Sequence, residues 1–139
     1  MVFMAAKRKN IYTKGKKKEA KARAAIAAGK GIVRLNHRNI ATIPQKYVRQ
    51  FIQEPLDLAG DLSPTVDIDV EVHGGGFVGQ AVAARTAIAK ALVDYSHDEK
   101  LRKRFLAYDR LLLVDDSRRV EPKKPLGIKA RKRKQLSKR

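Results

Sequence analysis

Three glycines in the middle of the chain could cradle a phosphate. Gly74, Gly76 and Gly79 have the G-x-G-x-x-G spacing that surrounds a dinucleotide pyrophosphate with backbone amides, between a strand pattern and a helical one. The preceding segment has an acidic face, whereas the parallel strand of a dinucleotide site is apolar throughout. A second helix, not a second strand, follows the first. We therefore interpret the glycines as a tight strand-to-helix turn, with phosphate binding by its exposed amides as an alternative.

His73 and the three glycines after it also match the H-G-G-G motif of the loop that forms the oxyanion hole of some esterases. Hydrolysis would need a serine in a G-x-S-x-G turn, and none of the four serines has that setting. We expect no enzymatic activity, and we interpret His73 as a surface residue of a strand.

The acids Asp67, Asp69 and Glu71 lie on one face of the same segment, which is compatible with a metal site. Alternation along a strand produces the same spacing, and in a chain this basic we expect the acids to pair with Lys or Arg of an adjacent strand. The chain has no cysteine, and its three histidines are isolated. We expect neither a metal nor a cofactor.

Positive charge at the two ends is the strongest chemical signal. The net charge is +18, with ten Lys or Arg and one acid in residues 1–30 and eleven Lys or Arg and one acid in residues 117–139. Residues 31–116 are nearly neutral. Self-repulsion opposes folding of such ends by themselves, and they imply a polyanionic partner, most commonly a nucleic acid.

Residues 117–139 form the more basic of the two ends. Pro122, Pro125 and Gly127 oppose a helix there, so we expect the segment to stay unfolded until it meets its partner. It has no aromatic residue for base stacking, which predicts contacts to phosphates. A solubilising, localisation or membrane-surface role is the alternative. The cations are Arg118, Arg119, Lys123, Lys124, Lys129, Arg131, Lys132, Arg133, Lys134, Lys138 and Arg139.

The elements between the two ends follow from periodicity. Residues 65–73 alternate as a half-buried strand, and residues 31–40 predict a weaker one with Val33 and Leu35 on one face. Two indications disagree for residues 16–28. Ala, Lys and Glu favour a helix, whereas the alternation of the alanines with Lys21 and Arg23 is typical of a strand. Propensity alone predicts helix there.

Three helices and a capping box are expected after the first strands. Pro44 predicts a helix start, with Tyr47, Val48, Phe51 and Ile52 on one face until Pro55 ends the run.

Residues 77–95 predict a long helix with an apolar stripe from Phe77 to Tyr95. Ser96 and Glu99 have capping-box spacing before a last helix with Leu101, Phe105 and Leu106 apolar. No run approaches the roughly 18 apolar residues of a membrane span, and no secretory signal is expected.

The order of several motifs resembles the family of the ninth protein of the small ribosomal subunit, with an ending closer to its bacterial members. The resemblance covers about residues 10–139. It rests on "GKKKEAKARAAI", on "EPL", on "GGGFVGQ" before "ARTAIAKAL", and on "DSRRVEPKKPLGIKARKRKQLSKR".

The resemblance implies an α+β fold like the second domain of ribosomal protein five, with helices on one side of a four-stranded sheet. Residues 10–116 would be the body, residues 1–9 a basic extension, and residues 117–139 an extended tail. It also implies that residues 16–28 form a strand, against propensity.

The partners implied by the resemblance are small-subunit ribosomal RNA, peptidyl-site transfer RNA and neighbouring head proteins in the cytoplasmic ribosome, with no membrane and no homo-oligomer. A free nucleoid-type compacting protein is the alternative.

Site residues follow by position from the resemblance and from charge. Ser137, Lys138 and Arg139 would contact transfer RNA. Contacts to ribosomal RNA are expected from Lys14, Lys16, Lys17, Lys18, Gln80, Arg85, Arg118, Arg119, Lys123, Lys124, Lys129, Arg131, Lys132, Arg133 and Lys134. The chain departs from the family at Lys134 and Leu136, and Leu126 displaces the glycine after "KKP" by one place. These departures put the path of the tail around Gly127 in question.

Overall fold

The structure, a computed structural model, describes residues 10–137. The proposed extension 1–9 and the tip residues Lys138 and Arg139 lie outside this range. The elements in chain order are β1 (Ile11–Lys17), β2 (Ala20–Ala28), β3 (Val33–Leu35), β4 (Arg38–Asn39), α1 (Lys46–Ala59), β5 (Val66–His73), α2 (Phe77–Ser96) and α3 (Glu99–Tyr108). Short 3-10 turns cover Ile40–Thr42, Gly60–Thr65 and Arg110–Leu112.

The strands form one sheet in the order β1-β2-β5-β3-β4. β2 pairs antiparallel with β1 and β5, and β3 pairs parallel with β5. The predicted four strands are therefore five, because β4 adds a two-residue hairpin arm to β3. Asn36 and His37 connect the two arms with φ values of 48° and 65°. Two successive left-handed residues make the tight turn whose twist suits a hairpin.

The conflict over residues 16–28 is resolved in favour of strand. Ala20, Ala22, Ala24 and Ile26 of β2 are almost fully buried. The cations between them lie on the opposite face of the sheet. Helix propensity is a weak preference, and here burial of the alternating face against α2 overrides it.

The core lies between one face of the sheet and the three helices. The alternating apolar residues of β5, from Val66 to Val72, are buried as predicted. α2 covers β1, β2 and β5, and α1 and α3 pack on it. The outer face of these three strands is exposed, except where Lys16, Ala25, Ala27 and Asp67 are half-buried.

Pro55 does not end α1, contrary to the prediction. The helix begins at Lys46, two residues after Pro44, and continues to Ala59. The Pro55 ring is fully buried in the core, which compensates for the single backbone hydrogen bond that proline cannot donate. Gly60, with φ of 58°, follows the last helical residue.

The cap of α3 also differs from the prediction. Asp98, not Ser96, is the N-cap, and its Oδ1 accepts the amide of Lys100 at 2.9 Å. Ser96 is the last residue of α2, and its Oγ accepts the amide of Asp98 at 3.3 Å.

Phe77 and Leu106, which were predicted on apolar faces, are exposed.

The first strand lies so close to α2 that it has no room for a side chain at Gly15. A Cβ there would lie 2.2 Å from the carbonyl oxygen of Ala83. We predict that Gly15→Ala lowers the free energy of unfolding by about 1–3 kcal/mol, because β1 or α2 must shift. Urea unfolding measures the change.

Gly79→Ala is the matched control for this substitution. Its Cβ would meet Ala20 at an ordinary 3.5 Å, and alanine favours the helix that Gly79 occupies. This variant should be as stable as the wild type or more stable. Equal stability of the two variants would contradict the close packing of β1 on α2.

Candidate nucleic-acid interface

The root of the tail, from Asp115 to Arg118, is attached to the body by two consecutive aspartates. Asp116 forms ion pairs with Lys17 of β1 and with Arg118, the latter at 2.8 Å. Asp115 pairs with Lys90 of α2 at 2.8 Å, and the same ammonium donates to the carbonyl oxygen of Lys14. The tail therefore leaves the body beside β1. This part of the chain has no hydrophobic periodicity, and only the proximity of acids to a basic segment could have indicated the attachment.

The acidity of Asp116 follows from these contacts. Hydrogen bonds from the Arg118 side chain, and then from Lys17, hold the pKa of Asp116 well below its ordinary value. Because the folded pKa is the lower one, the stabilisation is complete above the ordinary aspartate pKa of about 3.9. It is lost as the pH falls through the folded value. The attachment is therefore fully formed at neutral pH.

The cations of the tail face solvent. All nine Lys and Arg between residues 117 and 137 are exposed. Arg131 and Lys124 pair with Glu121, at 2.9 and 3.7 Å, and Arg118 pairs with Asp116. Within residues 10–137 the other six have no carboxylate within ion-pair distance: Arg119, Lys123, Lys129, Lys132, Arg133 and Lys134. Most of the positive charge of the tail is therefore not neutralised internally.

The tail is not entirely without structure of its own. Gly127 and Arg133 form an isolated antiparallel bridge, and the amide of Ile128 donates to the carbonyl oxygen of Lys132 at 3.0 Å. Leu126, which displaces the expected glycine, has a φ of 64°. A leucine in this left-handed region costs roughly 1–2 kcal/mol. The turn gathers Lys129 to Arg133 into one cationic loop, with Leu126, Leu136 and Ser137 exposed around it.

The N-terminal lysines take different positions. Lys14 and Lys16 point to the outer face of the sheet, where Lys14 lies opposite Arg23 and Lys16 opposite Lys21. Lys17 points to the other side and pairs with Asp116. Lys18 is exposed in the β1–β2 turn, with a φ of 52°. The outer-face positions of Lys21 and Arg23 add two cations that had not been assigned to a site.

Arg85 lies inside the protein. It is 8% exposed, and its guanidinium reaches Oε2 of Glu54 at 2.6 Å and Oδ2 of Asp109 at 3.0 Å. These ion pairs link α2 to α1 and to the segment after α3. Arg85 is therefore occupied by internal carboxylates, and it is not on the surface that could receive an RNA phosphate.

The glycine turn is a packing feature. Gly74 and Gly75 have φ values of 76° and 62°, and a Cβ on Gly74 would lie 2.5 Å from the carbonyl oxygen of Glu19. Gln80, a predicted RNA contact, uses its side-chain amide to donate to the carbonyl oxygen of Gly74 at 3.0 Å. α2 is followed by α3 and not by a parallel strand. The turn therefore lacks the second parallel strand of a dinucleotide site.

The acidic residues of β5 have separate roles. Asp69 pairs with Arg34 of β3 at 3.6 Å, as expected for an acid beside a basic strand. Asp67 instead accepts the amides of Lys30 and Ile32. Hydrogen bonds from Ile32 and then Lys30 lower its pKa. Within residues 10–137, no group of three or more His, Asp or Glu is placed to hold a metal ion.

Comparison with known proteins identifies the family. The family described as "Ribosomal protein S9/S16" matches residues 15–139. A "Small ribosomal subunit protein uS9" of Picrophilus torridus is 48% identical over 127 residues, covering 91% of this chain and 96% of that protein. The protein of the same name from Methanococcus vannielii is 42% identical over 130 residues, with 91% and 97% covered.

The chain belongs to this family of ribosomal proteins. It is a structural component of the small subunit and not an enzyme. Both relatives come from archaea, so these matches do not support the closer likeness to bacterial members that the ending suggested. No helix within residues 10–137 is long and apolar enough to cross a membrane.

The position of Arg85 gives a prediction about stability. Arg85→Ala should lower the free energy of unfolding by up to about 3 kcal/mol, since it leaves Glu54 and Asp109 without their shared cation. Exposed Arg110 is the control, and Arg110→Ala should change stability by less than about 0.5 kcal/mol. Chemical unfolding and RNA titration of both variants make the test. A stable Arg85→Ala protein with weakened RNA binding would contradict the internal role.

The attachment of the tail gives a prediction about titration. Arg118→Ala should raise the pKa of Asp116 towards its ordinary value, because Arg118 is the largest cause of the lowering. Arg119→Ala is the matched control, since its guanidinium donates to the carbonyl oxygens of Asp116 and Arg118 and not to the carboxylate. Carboxyl-carbon NMR of Asp116 measures both. Equal titration curves in the two variants would disprove the Arg118–Asp116 pair.

Proposed function

We propose that this ribosomal protein binds ribosomal RNA of the small-subunit head through its tail and its N-terminal lysines. Its last residues, Ser137, Lys138 and Arg139, contact peptidyl-site transfer RNA in the cytoplasmic ribosome. The family resemblance supplies the head location, the transfer RNA contact and the likeness of the body to the second domain of ribosomal protein five. Charge and exposure supply the mode of binding.

The observation that carries this proposal is the exposure of the tail cations without carboxylate partners. Each cation that meets a phosphate releases counterions, which lowers the logarithm of the binding constant by about 0.7–0.9 per phosphate for each tenfold rise in salt. About ten such contacts give a slope of roughly −7 to −9. Binding is therefore strong at low salt and largely independent of base sequence, because phosphates are the same in every nucleotide.

The geometry of the root supports a tail that reaches away from the body. The Asp115 and Asp116 contacts fix where the segment starts, beside β1. From Ser117, 23 residues can span at most about 75 Å when extended. The tip can therefore reach a partner that the body does not touch. Arg139 offers a planar guanidinium for two phosphate oxygens, and Lys138 a point charge beside it.

Deletion of Ser137, Lys138 and Arg139 tests the role of the tip. The shortened protein should enter small subunits normally, because the attachment and the other tail cations remain. Retention of transfer RNA in the peptidyl site should weaken, since two of its phosphate contacts are lost. Filter binding of labelled transfer RNA to purified subunits measures the effect.

A variant with Lys123 and Lys124 replaced by Gln is the matched control. It removes the same charge near the root, so it should reduce the salt dependence of ribosomal RNA binding by roughly 1.5 and leave transfer RNA retention unchanged. Deletion from residue 117 onwards should weaken ribosomal RNA binding much further. Normal transfer RNA retention by the tip deletion would disprove the contact at the tip.

A further inference from the structure

The outer face of β1 and β2 holds an exposed tyrosine among four cations. Tyr12 is 73% exposed. Its neighbours on this face of β1 are Lys14 and then Lys16, and across on β2 lie Arg23 and Lys21. Within residues 10–137 none of these four cations has a carboxylate within ion-pair distance. Tyr12 and these four cations are called the β1–β2 platform below.

The ring of Tyr12 is left open by its neighbours. Its partner across the sheet is Ala25, whose methyl group cannot cover an aromatic ring. On the other side β1 is the edge of the sheet, and no further strand from residues 10–137 lies there. Most of the Tyr12 side chain is thus accessible to a flat ligand.

We propose that the β1–β2 platform binds an unpaired nucleotide of ribosomal RNA, with its base stacked on Tyr12 and the adjoining phosphates on Lys14 and Arg23. This deepens the proposed function, on which it rests, because it adds a base-stacking site on the body to the phosphate contacts of the tail. Unstacked bases of single-stranded RNA are commonly held on exposed aromatics of a sheet beside Lys and Arg.

The charges of the sheet define where the RNA lies. On β5 the outer face carries Asp69 and Glu71, which repel phosphate, and Glu71 lies next to Arg23. The nucleotide is therefore confined to the edge of the sheet, over β1 and β2. The tail begins at the same edge, where Lys17 of β1 holds Asp116. The β1–β2 platform and the root of the tail therefore share strand β1, with the platform on the outer face of the sheet and the root on the side of the helices.

Lysines on an edge strand also prevent pairing with another sheet, which is a simpler reason for Lys14 and Lys16. It does not account for a tyrosine beside them. Protection of the edge predicts that Tyr12 can be replaced without consequence for RNA, whereas stacking predicts a specific loss. The two explanations are therefore separable by substitution.

The experiment titrates the full-length protein with a transcript of the small-subunit head RNA over a range of KCl concentrations. Tyr12→Ala should raise Kd roughly 5- to 100-fold at every salt concentration and leave the salt slope unchanged, because stacking releases no counterions. Tyr12→Phe keeps the ring and should bind within about twofold of the wild type. Tyr12 is exposed, so both variants should fold, which thermal unfolding checks.

Two sets of matched controls isolate the β1–β2 platform. Tyr108→Ala removes a tyrosine that is 56% exposed at the end of α3, and it should not change Kd. Replacing Lys14 and Arg23 by Ala should reduce the salt slope by roughly 1.4, whereas replacing exposed Lys100 and Lys103 of α3 should not.

The possible failures are distinct. If the wild type binds this transcript no better than duplex DNA of equal length, the proposed function itself is wrong. If the wild type binds but Tyr12→Ala behaves as Tyr108→Ala does, the stacking site is wrong and the tail alone carries binding. Unchanged RNA affinity together with loss of a neighbouring protein from Tyr12→Ala subunits would also overturn it, in favour of a protein-docking surface.

Discussion

The close contact between α2 and the first two strands determines which side chains the core can hold and which must face solvent. Backbone approaches backbone here, because Gly15 leaves no space before Ala83 and the hydroxyl of Thr13 donates to the carbonyl oxygen of Ala87 at 2.7 Å. The buried residues of β1 and of the first part of β2 are accordingly small: Thr13, Gly15, Ala20, Ala22 and Ala24. Every long side chain of β1 and β2 in this region must then point outward or towards the strand ends. Strand alternation places the cations of β1 and β2 on the outer face, away from this core of small residues.

Several acidic residues complement this arrangement by holding particular turns and contacts of the body. Asp67 holds the chain before β3 by accepting two backbone amides. Asp109 binds Arg85 and also caps the turn after α3. Asp115 and Asp116 attach the tail. Carboxylates engaged in this way stabilise particular turns and contacts. Within residues 10–137 only three of the tail cations, Arg118, Lys124 and Arg131, have a carboxylate partner, so the rest stay available for a polyanion.

Periodicity predicted those parts of the fold whose burial is visible in the chain itself. β5 and α2 were predicted because alternation and an alanine-rich stripe each mark one buried face. β2 was not predicted from propensity, since alanine is buried here only because a helix lies across it. Pro55 was wrongly predicted to end α1. The core packing that offsets its missing hydrogen bond is a tertiary contact and cannot be recognised from the local sequence.

At the site, the sequence predicted where the cations cluster, but it did not predict which carboxylates they pair with. Arg85 finds Glu54 and Asp109 only through tertiary folding, so its occupation could not be read from local sequence. Glu121 shows the same limit in the tail, where it pairs with both Lys124 and Arg131 and so supports the turn around Gly127. Exposed pairs of this kind contribute at most about 1 kcal/mol each, which is less than the gain from counterion release along an RNA strand. The turn can therefore order the free tail and still open when phosphates replace Glu121, so the internal pairs do not prevent the extended form.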